Sequence, residues 1–170
     1  GLQRAIDLVP DLIITDIMMP GMDGLELCRR VRADEVVNHI PIIVVTAKVS
    51  EQERVEGIEA GADAYLSKPF NVDELRTRVE RLLDRQRALR DKFGKEGISA
   101  DADNKDEEEV QLTDAERRFL AKTVDNIYVL LEKQELNVNT LSERLCMSSR
   151  QFHRKIVALT GCSPASFMLK

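Results

Sequence analysis

Apolar residues in this chain fall into two kinds of run. Some are short, unbroken and rich in β-branched residues, and others recur every three to four positions. Leu12–Thr15, Ile42–Val45 and Ala62–Leu66 are of the first kind and read as buried strands. Helical patterns lie between them: Gly24–Ala33, with Leu27 and Val31 four apart, then Glu51–Ala60. Gly1–Val9, with Leu2, Ile6 and Val9 in phase, predicts a further helix ahead of the first strand. Strands alternating with helices of this length imply parallel pairing through right-handed crossovers, an α/β fold.

Beyond Phe70 the pattern predicts a long helix. Asn71 is a good N-cap, and Val72, Leu75, Val79 and Leu82 make one face for the sheet. The frame runs on through Gln86, Leu89 and Phe93, as a two-stranded coiled coil with one polar seam position or as a charged helix end. Residues 94–111, with the acidic run Asp106–Glu109, lack the apolar content for a core and read as a flexible acidic linker.

Order returns at Thr113, which with Glu116 fits a capping box ahead of an apolar face of Phe119, Leu120, Val124, Ile127 and Leu131. A short helix follows at Asn139–Leu145, then a turn at Cys146-Met147. Ser148 caps a further helix with Phe152, Ile156 and Leu159 inward, and Gly161 stops it. Two short helices around a tight turn, the second with Arg150, Gln151, Arg154 and Lys155 outward, read as helix-turn-helix.

The chemistry-bearing residues cluster at strand ends. The first strand ends in Asp16, the second in Thr46 and the third in Ser67-Lys68-Pro69-Phe70. Parallel pairing puts all three carboxyl ends on one edge of the sheet, where α/β proteins carry their sites. A carboxylate, a hydroxyl and an ammonium brought together suit phosphoryl transfer. Asp16 would be the acceptor nucleophile, Lys68 would neutralise phosphate charge and Thr46 would donate to a phosphate oxygen. The plainer role for a strand-terminal acid is to cap the following turn, and Asp23, just before Gly24, is better placed for that.

Composition narrows the class. A chain of 170 residues with 43% hydrophobic and 32% charged residues is that of an ordinary soluble protein of one or two domains. No apolar run approaches a membrane span, so no membrane contact is expected. Nothing at the N-terminus resembles a signal peptide. Cys28, Cys146 and Cys162 lack C-x-x-C spacing, which argues for a reducing, cytoplasmic location and against a metal site. No Ser-His-Asp motif or phosphate-cradling glycine loop is present. The net charge is −5, yet Thr140–Lys170 holds five Lys or Arg against one acid. A basic patch on an acidic chain is an electrostatic footprint for nucleic acid.

The stretches D-L-I-I-T-D-I-M-M-P-G-M-D-G (11–24), P-I-I-V-V-T-A (41–47) and G-A-D-A-Y-L-S-K-P-F (61–70) resemble the response-regulator receiver family. That resemblance implies a flavodoxin-like, doubly wound parallel sheet. It makes Asp16 the acceptor of phosphate from a histidine kinase, in cis or in trans. Thr46 and Tyr65 would be the hydroxyl and aromatic switches, Lys68 the phosphate-binding lysine, and Lys68–Pro69 a cis bond. Mg²⁺ would be held by Asp16, the backbone carbonyl of Met18 and a pair of acids on an earlier strand. Gly1–Val9 already reads as the helix before the phosphoacceptor strand, so the first two strands of the sheet, roughly 30 residues or more, are expected ahead of Gly1. The chain then reads as a fragment in which Mg²⁺ binds weakly or not at all. The sheet is left with an open apolar edge that favours a homodimer.

The stretch 136–167, L-N-V-N-T-L-S-E-R-L-C-M-S-S-R-Q-F-H-R-K-I-V-A-L-T-G-C-S-P-A-S-F, resembles the DNA-binding region of AraC-type transcription factors. That family has two helix-turn-helix units joined by a long helix, and this chain carries the first unit and the opening of the linking helix, Pro164–Lys170. The resemblance puts Arg150, Gln151 and Arg154, with Ser149 and Lys155 beside them, against double-stranded DNA.

The expected organisation is therefore a partial receiver at 1–93, a linker at 94–111 and a partial AraC-type unit at 112–170. The function it implies is a phosphoaspartate-controlled transcriptional regulator and not an enzyme, free-standing or at the end of a hybrid sensor kinase. Two other classes compete. A haloacid-dehalogenase-type phosphatase also uses an Asp nucleophile and a Lys, but it wants a second acid where Met18 stands. In a pure interaction module Asp16 would be inert.

Overall fold

The computed structural model describes residues 1–47, 51–96 and 112–169. The chain divides into two compact units, Gly1–Asp84 and Arg85–Lys170.

In the first unit the order is α1 (Leu2–Leu8), β1 (Ile13–Asp16), α2 (Gly24–Ala33), β2 (Ile42–Thr46), α3 (Glu51–Glu59), β3 (Ala64–Ser67) and α4 (Val72–Glu96), which runs on into the second unit. The strands form a parallel sheet in the order β1-β2-β3, as their alternation with helices requires. Ile13 lies opposite Ile42 and Asp16 opposite Val45, while Thr46 lies opposite Ser67. The central strand β2 is buried on both faces, which is why I-I-V-V is an unbroken apolar run and not an alternating one.

Each face of the sheet has its own core. On one, Ile42 and Val44 pack with Leu27, Cys28 and Val31 of α2, joined by Leu2 and Ile6 of α1. On the other, Ile43, Val45 and Leu66 meet Leu75, Val79 and Leu82 of α4. Val72, expected on that same face, is 77% exposed instead. It is the first helical residue after the Asn71 cap, a turn too early to reach the sheet.

The edge opposite the strand carboxyl ends is closed by Arg32. Its guanidinium donates to the carbonyls of Gly61, Asn38 and Ile40, each at 2.8 Å, and to the Asp63 carboxylate at 2.6 Å. Asp63 also accepts from the Ile42 amide at 2.7 Å. One rigid fork thus ties together the loops that lead into β2 and β3.

The second unit comprises the end of α4, α5 (Asp114–Glu132), α6 (Val138–Arg144), α7 (Ser149–Thr160) and α8 (Pro164–Met168). Thr113, Asn137 and Ser148 each open a helix with a reciprocal capping box. The buried stripe of α5 is Phe119, Leu120, Thr123, Ile127 and Leu130, while Leu131, expected inward, is half-exposed. Leu89 near the end of α4 is buried, and beside it Arg90 donates to the Ala158 carbonyl at 3.1 Å. Leu89 is therefore not presented as a coiled-coil seam, and the side chain of Phe93 lies outside the described residues. The helix includes Gly94–Glu96, so the expected linker begins later, and its residues 97–111 lie outside the described residues. Among the described residues no helix is long and apolar enough to cross a membrane.

The amides of Ile13 and Ile17 point toward β2, so those of Ile14 and Asp16 face the side of β1 that has no strand partner among the described residues. Ile14 is 49% exposed there. Sedimentation of this polypeptide at tens of micromolar, roughly the range where exposed edges associate, is expected to show dimers or larger species. Ile14→Lys is expected to shift it toward monomer. Arg32→Lys, which cannot reproduce the fork, is expected to destabilise the first unit by about 2 kcal/mol in chemical denaturation.

Candidate phosphoacceptor site and exposed helix face

Three strand ends meet on the carboxyl edge of the sheet. Asp16 closes β1, Thr46 closes β2, and Lys68 follows β3. The Lys68 ammonium is ion-paired with Asp16 Oδ2, joining residues 52 positions apart. The Met18 amide donates to Asp16 Oδ1 at 3.1 Å, so both carboxylate oxygens have a donor. Thr46 is buried, and its carbonyl accepts from the Lys68 amide at 2.7 Å, which fixes where the lysine leaves the strand. The Lys68–Pro69 bond is cis, as the resemblance implied.

The loop after β1 is held tightly under the site. A Cβ on Gly24 would stand 2.3 Å from the Asp16 carbonyl oxygen, so the start of α2 can lie against the strand end only as glycine. Asp23 caps α2 through the Glu26 amide at 2.7 Å, leaving Asp16 free of that duty.

The Lys68 ammonium, and after it the Met18 amide, hold the Asp16 carboxyl below the usual carboxylate range. It is therefore anionic at neutral pH and about one-third exposed, while Lys68 is about half-exposed. An exposed anionic oxygen with an ammonium beside it is the arrangement that an incoming phosphoryl group needs.

The Mg²⁺ expectation has less beneath it. Among the described residues no three His, Cys, Asp or Glu side chains come together, and the single carboxylate present is already paired with Lys68. The side chain of Met18 is 82% exposed, so only its carbonyl could contribute. By themselves these residues do not fit a magnesium site.

Tyr65 lies on β3 opposite Val44, packed against the core on the α2 side of the sheet with its hydroxyl buried. Burial pushes its phenol up to about 12.

On α7 the structure separates the expected surface residues. Arg150 is exposed and Arg154 half-buried, one turn apart. Ser149 Oγ is taken up in a bond to Asn139 Oδ1 at 2.8 Å and lies 3.1 Å from Ser142 Oγ, which locks α6 to α7. Gln151 Oε1 accepts from the Ser148 amide at 2.8 Å as the second half of the capping box. Lys155, expected outward, is 0% exposed, with its ammonium 4.3 Å from the centre of the Phe119 ring. The spacing held that answer: positions 152, 155, 156 and 159 form one helical stripe. The π face of Phe119 receives the charge of Lys155. The exposed face instead includes His153, three residues from Arg150, which the reading of the sequence passed over.

Residues 2–80 match the family model for the response regulator receiver domain. The chain is 32% identical to histidine kinase P4 of Formosa agariphila over 168 residues, 99% of this chain and 12% of that protein. It is 37% identical to the response regulator ArlR of Staphylococcus aureus over 134 residues, 79% of this chain and 58% of that one. The chain thus spans only part of the length of these relatives. Among solved structures, a response regulator from Chloroflexus aurantiacus is 41% identical, covering 49% of this chain and 68% of that one with a TM-score of 0.47. The receiver domain of sensor histidine kinase PA1611 from Pseudomonas aeruginosa, with magnesium coordinated in its active-site cleft, is 32% identical, with coverages of 49% and 68% and a TM-score of 0.46.

The pairing at Asp16 has a titration consequence. Its lowered pKa means that the Lys68 contact stabilises the fold above the ordinary carboxylate range and is lost as pH falls through the lowered value. In carboxyl-selective NMR, Asp16 of the wild type is expected to titrate below its ordinary value, and Lys68→Met is expected to raise it.

Proposed function

Residues 2–80 are a response-regulator receiver domain of two-component signalling, and on that premise we propose that Asp16 is its phosphoacceptor and that the C-terminal unit binds DNA. The carrying observation is the contact between Asp16 and Lys68 at the shared carboxyl edge. In the proposed step a carboxylate oxygen of Asp16 attacks the phosphorus of a phosphohistidine on a kinase. The P–N bond breaks, the imidazole nitrogen leaves with the electron pair and takes a proton, and an acyl phosphate forms on Asp16. Lys68 turns from the carboxylate to the new phosphate oxygens, and the Thr46 hydroxyl donates to one of them.

Helices α6 and α7, joined through Cys146 at a φ of 57°, support the reading of the second unit as an AraC-type helix-turn-helix. Arg150 and His153, both exposed, with the half-buried Arg154 beside them, make the face that would meet the major groove. The match to histidine kinase P4 of Formosa agariphila covers 99% of this chain and 12% of that protein, which supports a hybrid sensor kinase as one setting for it, and the match to the response regulator ArlR of Staphylococcus aureus over 79% of this chain supports a free-standing regulator as the other.

Phosphoramidate is expected to phosphorylate Asp16 slowly, and Asp16→Asn to abolish the labelling. Lys68→Met should slow it by about 100-fold. Labelling of Asp16→Asn to the wild-type stoichiometry would remove the assignment. The chain should bind duplex DNA with the roughly 10⁻⁴–10⁻⁶ M affinity of non-specific contacts at physiological salt. Arg154→Ala should lower the slope of affinity against salt by about one charge, whereas Lys155→Met should leave it unchanged. Nanomolar, sequence-selective binding by this chain alone would contradict a reading that needs a second helix-turn-helix.

A further inference from the structure

Helix α5 carries a second apolar stripe besides the buried one. Ala121, Val124, Tyr128 and Leu131 follow one another at spacings of three, four and three, which keeps them on one side of the helix. Tyr128 is 65% exposed and Leu131 50%, while Ala121 is exposed and Val124 half-buried. The stripe is matched to its own reverse. Ala121 and Leu131 stand equally far from Asn126, and so do Val124 and Tyr128, so a reversed copy sets each smaller residue against a larger one. Charge follows the same reversal. On the flank beside the stripe, Arg118 and Lys122 stand in the first half of the helix and Asp125 and Glu132 in the second, all of them exposed. An antiparallel partner brings Arg118 near Glu132 twice, whereas a parallel one sets like charge against like. Asp125 of both copies comes near the axis, with Lys122 a turn away to offset it.

We propose that this outer stripe of α5 is a homodimer surface, on which a second copy of this chain packs antiparallel about a two-fold axis at Asn126. The acidic run Asp106–Glu109 fits it less well, because only the first half of the stripe is flanked by basic residues. Four apolar side chains a copy fall short of the roughly 20–30 residues that each partner gives a standard interface, so pairing is weak and depends on concentration. The second copy brings a second α7. Its use on DNA rests on the reading of the second unit as DNA-binding, but the pairing itself does not.

The test uses the full chain carrying Ile14→Lys, so that the open edge of β1 does not contribute. Sedimentation equilibrium over a wide concentration range is expected to show a monomer in exchange with a dimer. Tyr128→Glu should raise the dissociation constant roughly tenfold or more. Arg118→Glu and Glu132→Arg should each weaken pairing several-fold, and the two together should restore it. Those residues lie about 21 Å apart along one helix, so restoration reads a contact between copies. A monomer at every concentration, as when the first unit or residues 97–111 cover the stripe, overturns the proposal. So does a dimer that Tyr128→Glu leaves unchanged, or a double variant as weak as either single one. If Tyr128→Glu loses its helical circular dichroism, the charge exchange alone decides. A chain that pairs in this way but binds no duplex DNA upholds the pairing and removes the DNA-binding reading. Duplex binding at the expected affinity by a chain that never pairs does the opposite.

Discussion

Parallel pairing on both sides of β2 is the constraint from which the first unit follows. A strand buried on both faces needs a helix on each, and α2 and α4 supply them. Parallel strands also send all their carboxyl ends the same way, so Asp16 and Lys68, far apart in the chain, reach contact without any local signal joining them. The two edges of the sheet are then tied by charge in different ways. At the opposite edge Arg32 meets three carbonyls and a carboxylate and holds two loops in place. At the carboxyl edge one half-exposed ammonium faces one partly exposed carboxylate, and that pair can open to admit a phosphoryl group.

The second unit reaches its order by local means. Capping boxes at Thr113, Asn137 and Ser148 satisfy amide groups that α5, α6 and α7 would otherwise leave without partners. The Ser142–Ser149–Asn139 bonds then fix α6 against α7. These roles occupy polar residues that an inventory of DNA contacts would also claim. What remains outward on α7 is a smaller cationic face around Arg150, His153 and Arg154, and the basic count of the segment overstates it by the buried Lys155.

Several elements were legible before any coordinates. The strands Ile42–Thr46 and Ile13–Asp16, the cap of α2 by Asp23 and the capping box at Thr113 each follow from residues a few positions apart, whose physics is local. Misplacements arose where a side chain answers to a distant neighbour or to its exact phase on a helix. Val72 has the right residue type for the sheet but comes a turn too early. Leu131 yields its inward place to Leu130.

The sequence by itself determined the alternation of strand and helix, hence the parallel sheet and the meeting of Asp16, Thr46 and Lys68 at one edge. Period and strand polarity depend only on the order of residues along the chain. Tertiary structure alone decided that Lys155 lies over the Phe119 ring, that Leu89 is buried, and that Val72 stands outside the sheet's core. Each of these depends on what another element presents at the point of contact, and close packing leaves one answer where the residue types allowed several.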